Sequence, residues 1–391
     1  MRRAAGPLTT LLLMLALAGC SSVTTGDDRA AGTAAPVVQI DPRPGSEQAP
    51  TTRGLTVRAG AGTLVGVVAY ADDDPVPGYF DPTRTVWRSN RPLAPGKDYS
   101  VSATATGANG VRGSATGRFR TFTPERTFRI VSVTPSPGET VGVGMPIIVD
   151  FDVPVRDRAA VEKALEVSSP SAVEGAWHWS GETRAVYRPR RYWPAGEKVG
   201  FTAYLSGVRA AKDTYGTADH AVRFTVGREQ ISTIDTRTHQ MTVRRDGEVV
   251  QRMAISAGMA TTREYTTTSG IHLTMDKTNP VRMISPNRRE GDPGYYDVMI
   301  NHAVRISNSG EYIHAKDNVW AQGRVNVSHG CVNARPDQAA WFYTNSLRGD
   351  PVIINGTDRE LEWDNGWGYW QLSWSDWLKG SALHSGPASD S

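Results

Sequence analysis

Ser328-His329-Gly330-Cys331-Val332-Asn333 sets a cysteine in a short polar run, and Ile313-His314-Ala315 places a histidine 17 positions upstream of it. A thiol of pKa about 8.5 is mostly protonated at neutral pH. An imidazole beside it can take the proton, giving a thiolate–imidazolium pair and a nucleophile for acyl transfer. Gly330 lets a backbone approach a substrate with no Cβ in the way. The amides of Gly330 and Cys331 can then face a developing oxyanion. His329 is a second candidate base, but two residues from the cysteine it fits better as a residue that shapes the loop. His314, His329 and Cys331 also offer the nitrogen and sulfur donors that zinc accepts. No further ligand stands at a Cys-x-x-Cys or His-x-x-x-His spacing, so no metal and no organic cofactor is expected.

The chain has only one other cysteine, and its context is different. Met1-Arg2-Arg3 is a basic start, Leu8 to Ala18 is apolar and short, and Leu17-Ala18-Gly19-Cys20 ends it in small residues. The segment has the shape of a secretory signal, and its end resembles a bacterial lipobox, in which the cysteine is lipidated and becomes the first mature residue. Cys20 is therefore expected to carry a lipid anchor to the outer face of the cytoplasmic membrane. Val23 to Pro36 reads as a tether without apolar periodicity. Cys331 is then the single thiol of an exported chain, a candidate reactive group rather than half of a disulfide.

Elements to hold such a site must come from the rest of the 391 residues. Charge is nearly balanced, with Lys+Arg 43 and Asp+Glu 40, and basic runs are short, which argues against nucleic acid as a partner. Gly 39 and Pro 24 accompany short Val- and Thr-containing runs, a pattern of brief strands and many turns. Residues 37–125 and 126–227 each read as one immunoglobulin-like β-sandwich. They carry a weak repeat. Thr85-Val86-Trp87-Arg88 before Leu93-Ala94-Pro95-Gly96 returns one hundred positions later as Ala185-Val186-Tyr187-Arg188 before Trp193-Pro194-Ala195-Gly196. Neither copy concentrates catalytic side chains, so both are expected to be spacers. Asp72-Asp73-Asp74 reads as a solvated turn rather than a cation site.

A new pattern starts near residue 228. Asp246-Gly247 between two strand-like runs predicts a hairpin with a type I′ turn. Asp337 to Leu347 is the best helix, and Pro351 to Ile354 a last strand. Beyond residue 357 lies a Trp-rich segment holding five of the 11 tryptophans. Trp370, Trp374 and Trp377 recur at i, i+4 and i+7, one helical face, expected to pack on the catalytic domain rather than to bind sugar. His239, His272 and His302 sit in strand-like runs and read as structural.

His314 with Ser328-His329-Gly330-Cys331-Val332-Asn333 resembles the active-site motif of the L,D-transpeptidases, the YkuD-type catalytic domain, over about residues 228–377. The order of signal, two sandwiches, catalytic domain (228–356) and Trp-rich subdomain (357–391) resembles the actinobacterial branch. The expected fold is mainly β. The resemblance implies Cys331 as nucleophile and His314 as general base, with the imidazole oriented by the main-chain carbonyl of Ala315. It implies Ser309, Gly310 and Asn333 as substrate-holding residues, and a Tyr after Gly294 as a substrate or oxyanion contact. Tyr295 and Tyr296 compete for that role, and spacing to His314 favours Tyr296. Ser328, His329 and Gly330 complete the motif. The implied reaction is 3→3 cross-linking of peptidoglycan peptide stems outside the membrane. Hydrolysis of the same acyl-enzyme, an L,D-carboxypeptidase activity, shares all these residues. A non-catalytic wall-binding lipoprotein is the remaining alternative.

Overall fold

Alternating apolar and polar residues bury every second side chain of a strand, and the first sandwich follows that rule. In Asp98–Thr106 the residues Tyr99, Val101, Ala103 and Ala105 all face the core. In this computed structural model residues 34–286 and 288–384 are described, so Cys20 and the signal-like segment lie outside the described residues. One sheet of the first sandwich joins Val37–Asp41, Thr56–Gly60, Val86–Ser89 and Gly78–Phe80. Its partner joins Asp74–Pro75, Thr63–Ala71, Asp98–Thr106 and Arg112–Arg120. Leu55, Val57, Leu64, Trp87 and Phe119 fill the space between them. Asp72 receives Lys97 Nζ at 2.6 Å and the Asp98 amide at 3.1 Å, an ordinary charged loop.

The second sandwich repeats the plan. Ile130–Thr134, Ile147–Phe151, Arg184–Pro189 and Gly175–Trp179 face Thr140–Val141, His220–Val226, Lys198–Ala203 and Leu165–Ser168. A small third sheet carries Arg126–Phe128. The sequence repeat is visible here: Trp87 and Tyr187 are both buried in strands that lead into the next strand of their sandwich. The two sandwiches touch through one buried hydrogen bond, Thr51 Oγ1 to Gly207 O at 3.2 Å, and through more open contacts. Arg91 lies 3.5 Å over the Tyr204 ring and 2.7 Å from Glu166, and Phe122 meets Tyr215 edge-on.

The remaining residues build a nine-stranded sheet. Its spatial order is Gly270–Leu273, Pro351–Asn355, Gln230–Asp235, Gln240–Arg245, Glu248–Ser256, Val332–Ala334, Tyr312–Ala315, Ala303–Arg305 and Lys277–Thr278. The Asp246-Gly247 hairpin forms as expected, with φ of 50° and 83° at its two turn residues. The helix runs Pro336–Asn345, with Pro336 in its first turn, where a missing N–H costs nothing. It ends before Ser346, whose extended backbone turns toward the last strand. Ile234, Val243, Ile255, Val304, Ile313, Val332, Phe342 and Val352 form this sheet's own core.

Arg348-Gly349-Asp350 ties that sheet inward and outward at once. Asp350 accepts from Arg228 at 2.7 and 2.9 Å. Arg348 and Gly349 carbonyls receive the amides of Gly142 and Gly144 of the second sandwich, at 2.7 and 3.0 Å. The Arg348 guanidinium bonds Glu139 there as well.

The tryptophan face packs elsewhere than expected. Trp377, fully buried, stacks on His178 at 4.5 Å and donates to the Ala176 carbonyl at 3.0 Å, both in the second sandwich. Trp370 donates to Gly144 O at 2.8 Å. Trp370, Trp374 and Trp377 then converge on one cation: the Arg188 guanidinium lies 4.8, 5.4 and 4.7 Å from their ring centres. The three rings share a partner but not one helical face, because the chain is extended at Leu372 between the turn that carries Trp370 and the helix that carries Trp374 and Trp377. That partner could not be read, because a buried arginine in another domain is what the rings cover. The segment is a short turn, Gly368–Gln371, followed by a helix, Trp374–Lys379, started by the Ser373 side chain. The second sandwich thus shares a core with the C-terminal segment and is more than a spacer.

Candidate active site

The 17 positions between His314 and Cys331 close up because their strands are neighbours. Tyr312–Ala315 and Val332–Ala334 pair in parallel, with Ile313 opposite Val332 and His314 opposite Asn333. Cys331 stands at the end of its loop, one residue before the strand. A cavity of about 340 Å³ is lined by Cys331, His314, Asn333, Ser309, Gly310 and Tyr296 among others. Ser328, His329 and Gly330 line it too. The candidate residues named from positions 296–333 therefore meet in one place, and Tyr295 is not among the lining residues.

His314 is buried, and its Nδ1 lies 2.9 Å from the Ala315 carbonyl. A carbonyl can only accept, so Nδ1 carries the hydrogen and Nε2 keeps its lone pair. Burial pushes the His314 pKa down to about 4, with Lys316 adding to the effect against the Ala315 hydrogen bond. Burial likewise pushes the Cys331 thiol up to about 12, with Glu311 adding to it and the Tyr312 amide opposing it. Both groups are neutral at pH 7. The ion pair expected from the sequence is not the resting state, because taking these groups partly out of water disfavours both charges. The thiol points at the Gly310 carbonyl, with Sγ 3.6 Å from its oxygen.

The loop before Cys331 is pinned on several sides. The Ser328 hydroxyl donates to Cys331 O and accepts the Gly330 amide at 3.1 Å. Thr267 Oγ1 donates to Gly330 O at 2.7 Å. Gly330 has φ +125°, a conformation side chains rarely adopt. The Gly330 amide is thus spent on Ser328 and does not face an oxyanion. Local sequence suggested two free amides; the serine three residues before the cysteine claims one of them. His329 is exposed, edge-on to Tyr265 at 4.5 Å and 5.4 Å from Tyr296. That packing suits a loop-shaping residue.

Other residues of the site carried no signal of their own in the sequence. Asn365, from the Trp-rich segment, holds Ser309 by amide and hydroxyl, both at 2.9 Å. Arg288 grips Glu264 with two hydrogen bonds, 2.7 and 2.8 Å, on the cavity wall. Glu311, Thr268 and His272 form a buried chain behind Gly310. Of these only His272 was noticed, as a structural residue in a strand.

Comparison with known proteins places this architecture. The L,D-transpeptidase catalytic domain matches residues 229–354, and a bacterial Ig domain matches residues 46–209, across both sandwiches. L,D-transpeptidase 2 of Mycobacterium tuberculosis (strain CDC 1551 / Oshkosh) is 34% identical over 335 residues, 84% of this chain and 80% of the relative. The chain belongs to the L,D-transpeptidase family. L,D-transpeptidase 5 of M. tuberculosis (strain ATCC 25618 / H37Rv) is 34% identical over 315 residues, 79% of this chain and 68% of that one. A solved L,D-transpeptidase, LdtMt1 in complex with imipenem, shares 33% identity at a TM-score of 0.50, covering 58% of this chain and 98% of that structure. The chain is accordingly an L,D-transpeptidase of mainly β architecture, with immunoglobulin-like and catalytic parts.

Proposed function

We propose that this L,D-transpeptidase cross-links peptidoglycan stems through a thioester on Cys331. The observation that carries the reading is the pairing of two strands that brings His314 and Cys331 to one cavity, with His314 Nδ1 fixed by Ala315. His314 Nε2 takes the thiol proton as sulfur attacks the carbonyl of the third stem residue. The C–N bond breaks, and the terminal D-alanine leaves with that proton on its amine. An amine of a second stem then attacks the thioester, loses a proton to His314, and returns the sulfur as a thiol. Because both groups rest neutral, proton transfer accompanies C–S bond formation rather than preceding it. The Cys331 amide and the Tyr296 hydroxyl are the groups left to receive the oxyanion. Ser309, Gly310 and Asn333 hold the stem.

Purified protein incubated with tetrapeptide stem, with and without an acceptor stem, tests this directly. Cross-linked dimer formed only with acceptor is the expected product. Tripeptide alone in both reactions would make the enzyme a carboxypeptidase, in which water replaces the amine.

The lipobox-like Leu17-Ala18-Gly19-Cys20 supports an anchor at Cys20 that keeps the enzyme at the outer face of the cytoplasmic membrane, where stems are found. Cys20→Ala should release the protein from the membrane fraction or leave it uncleaved. An unlipidated mature N-terminus in the wild type would refute the anchor.

A further inference from the structure

Two peptide groups address the Cys331 sulfur. The Gly310 carbonyl lies 3.6 Å from Sγ and accepts the S–H, and the Tyr312 amide hydrogen-bonds the sulfur. Both flank a single residue, Glu311. Its side chain is buried, and it lines the same cavity as the nucleophile.

Glu311 has little freedom. Oε1 accepts the Thr268 amide at 2.7 Å, and Oε2 accepts the Thr268 hydroxyl at 2.7 Å. Its own amide donates to Ser307 Oγ at 3.1 Å, and its carbonyl accepts the Ile306 amide at 2.9 Å. A hydroxyl has one hydrogen, and Thr268 gives it to Glu311. His272 Nε2, 2.8 Å from the same oxygen, must therefore be a donor to it. The order of hydrogens runs His272 to Thr268 to Glu311, and it closes only if Glu311 is a carboxylate. A carboxylate that accepts this many hydrogen bonds stays ionised despite burial.

We propose that Glu311, locked by Thr268 and His272, is a positioning residue that holds the two sulfur-facing peptide groups and keeps the Cys331 thiol protonated until a donor is bound. This rests on Cys331 being the nucleophile. The charge of Glu311 opposes a thiolate in the resting enzyme and so spares it from adventitious oxidation and alkylation. Other titratable groups share the cavity, namely Glu264, Tyr265, Arg288, Tyr296, Lys316, His329 and Arg359, and His272 faces Glu311 from behind. Glu264 and Arg288 pair with each other, and Glu311 Oε2 lies 3.8 Å from His272 Nε2, so Glu311 is the carboxylate behind the sulfur with His272 as its basic partner.

Two measurements on the full chain test the two halves of the role. The rate of iodoacetamide alkylation against pH reads the thiolate fraction. Glu311→Gln keeps the shape and removes the charge, so the profile should move to lower pH, with about tenfold faster alkylation at neutral pH for each unit moved. Acylation by imipenem, followed by intact-protein mass, reads the positioning. Thr268→Val should slow it, and Thr268→Ser, which keeps the hydroxyl, should recover most of the rate. An alkylation profile unchanged in Glu311→Gln, or Thr268→Ser as slow as Thr268→Val, would overturn the proposal. Cys331→Ala runs alongside: an adduct that persists there refutes the nucleophile itself, whereas loss of the adduct there with no change in Glu311→Gln refutes Glu311 alone.

Discussion

The catalytic cleft and the tryptophan clamp each bury a titratable group, and they handle its charge in opposite ways. In the cleft, burial pushes His314 down to about 4 and the Cys331 thiol up to about 12, so both rest neutral. In the clamp, burial pushes Arg188 down to about 10, which still leaves it charged at neutral pH. The shifts have the same cause. The outcome differs because an arginine starts so far above neutrality that desolvation cannot strip its proton. The clamp then meets the charge with what it has: three indole faces, the Leu372 carbonyl at 2.8 Å and no carboxylate among the described partners. A cysteine and a histidine are used where charge must appear on demand, and an arginine where it must stay.

The comparison breaks most completely at Cys331. Cys331→Ala leaves no group to hold the acyl intermediate, so adduct and cross-linking should both vanish from mass spectra and product analysis. His314→Ala should slow acylation by about 10²–10⁴-fold, the range of general base catalysis. Because the free-enzyme imidazole is neutral down to about 4, acylation should not fall between pH 8 and 5 through its protonation. A loss of rate centred near the ordinary histidine value would mean that the cleft is wetter than this structure makes it.

His314 also predicts a stability signature. Its folded pKa lies below its unfolded value, so the unfolded chain binds the extra proton first. Its contribution is present above about pH 6.5 and is lost as pH falls toward 4. Arg188 gives the opposite picture at neutral pH, a standing cost. The unfolded chain holds this proton to higher pH than the folded one, so stability recovers only as pH rises above about 10, and at pH 7 the cost of burying the charge is complete. Arg188→Ala removes the cation and leaves a void among three rings. We expect a loss of about 2–5 kcal/mol in urea unfolding. Arg188→Met fills much of the space without charge and should cost far less, or even stabilise. Equal losses in the two variants would show that cation–π attraction, not filling, holds the clamp.

These residues also show where sequence reading runs out. Strand alternation, the Asp246-Gly247 turn and the run around Cys331 are local signals, and the structure follows them. The Ala315 carbonyl on His314 was also expected, from the resemblance to the L,D-transpeptidase motif. What was not legible is contact between distant segments. Arg188 and Trp377 are 189 positions apart, and nothing in either neighbourhood names the other. Glu311 and Thr268 are 43 positions apart, in segments that precede different strands, and look like unremarkable polar residues until the fold joins them. The Gly330 amide was misread for a subtler reason: a serine hydroxyl within its own loop competes for it.

The smallest effect concerns the first sandwich, and it sharpens the contrast because that domain lacks a clamp. Its contacts with the second sandwich include the Arg91–Glu166 pair, in which both side chains are 38% and 49% exposed, and the Phe122–Tyr215 edge contact. Exposed pairs of this kind contribute about 0–1 kcal/mol. The second sandwich, in contrast, shares its core with Trp367, Tyr369 and Trp377. A chain beginning at Pro124 should therefore acylate with imipenem at nearly the full-length rate and melt within a few degrees of it. A chain beginning at Gly227 exposes three tryptophans and the Arg348 contact surface at one stroke, and should be poorly soluble or melt well below the full-length protein. If the two truncations behave alike, the clamp is not what couples the second sandwich to the catalytic sheet. If the chain from Pro124 loses activity with a soluble donor, the first sandwich acts on the site itself and not only on its distance from the membrane.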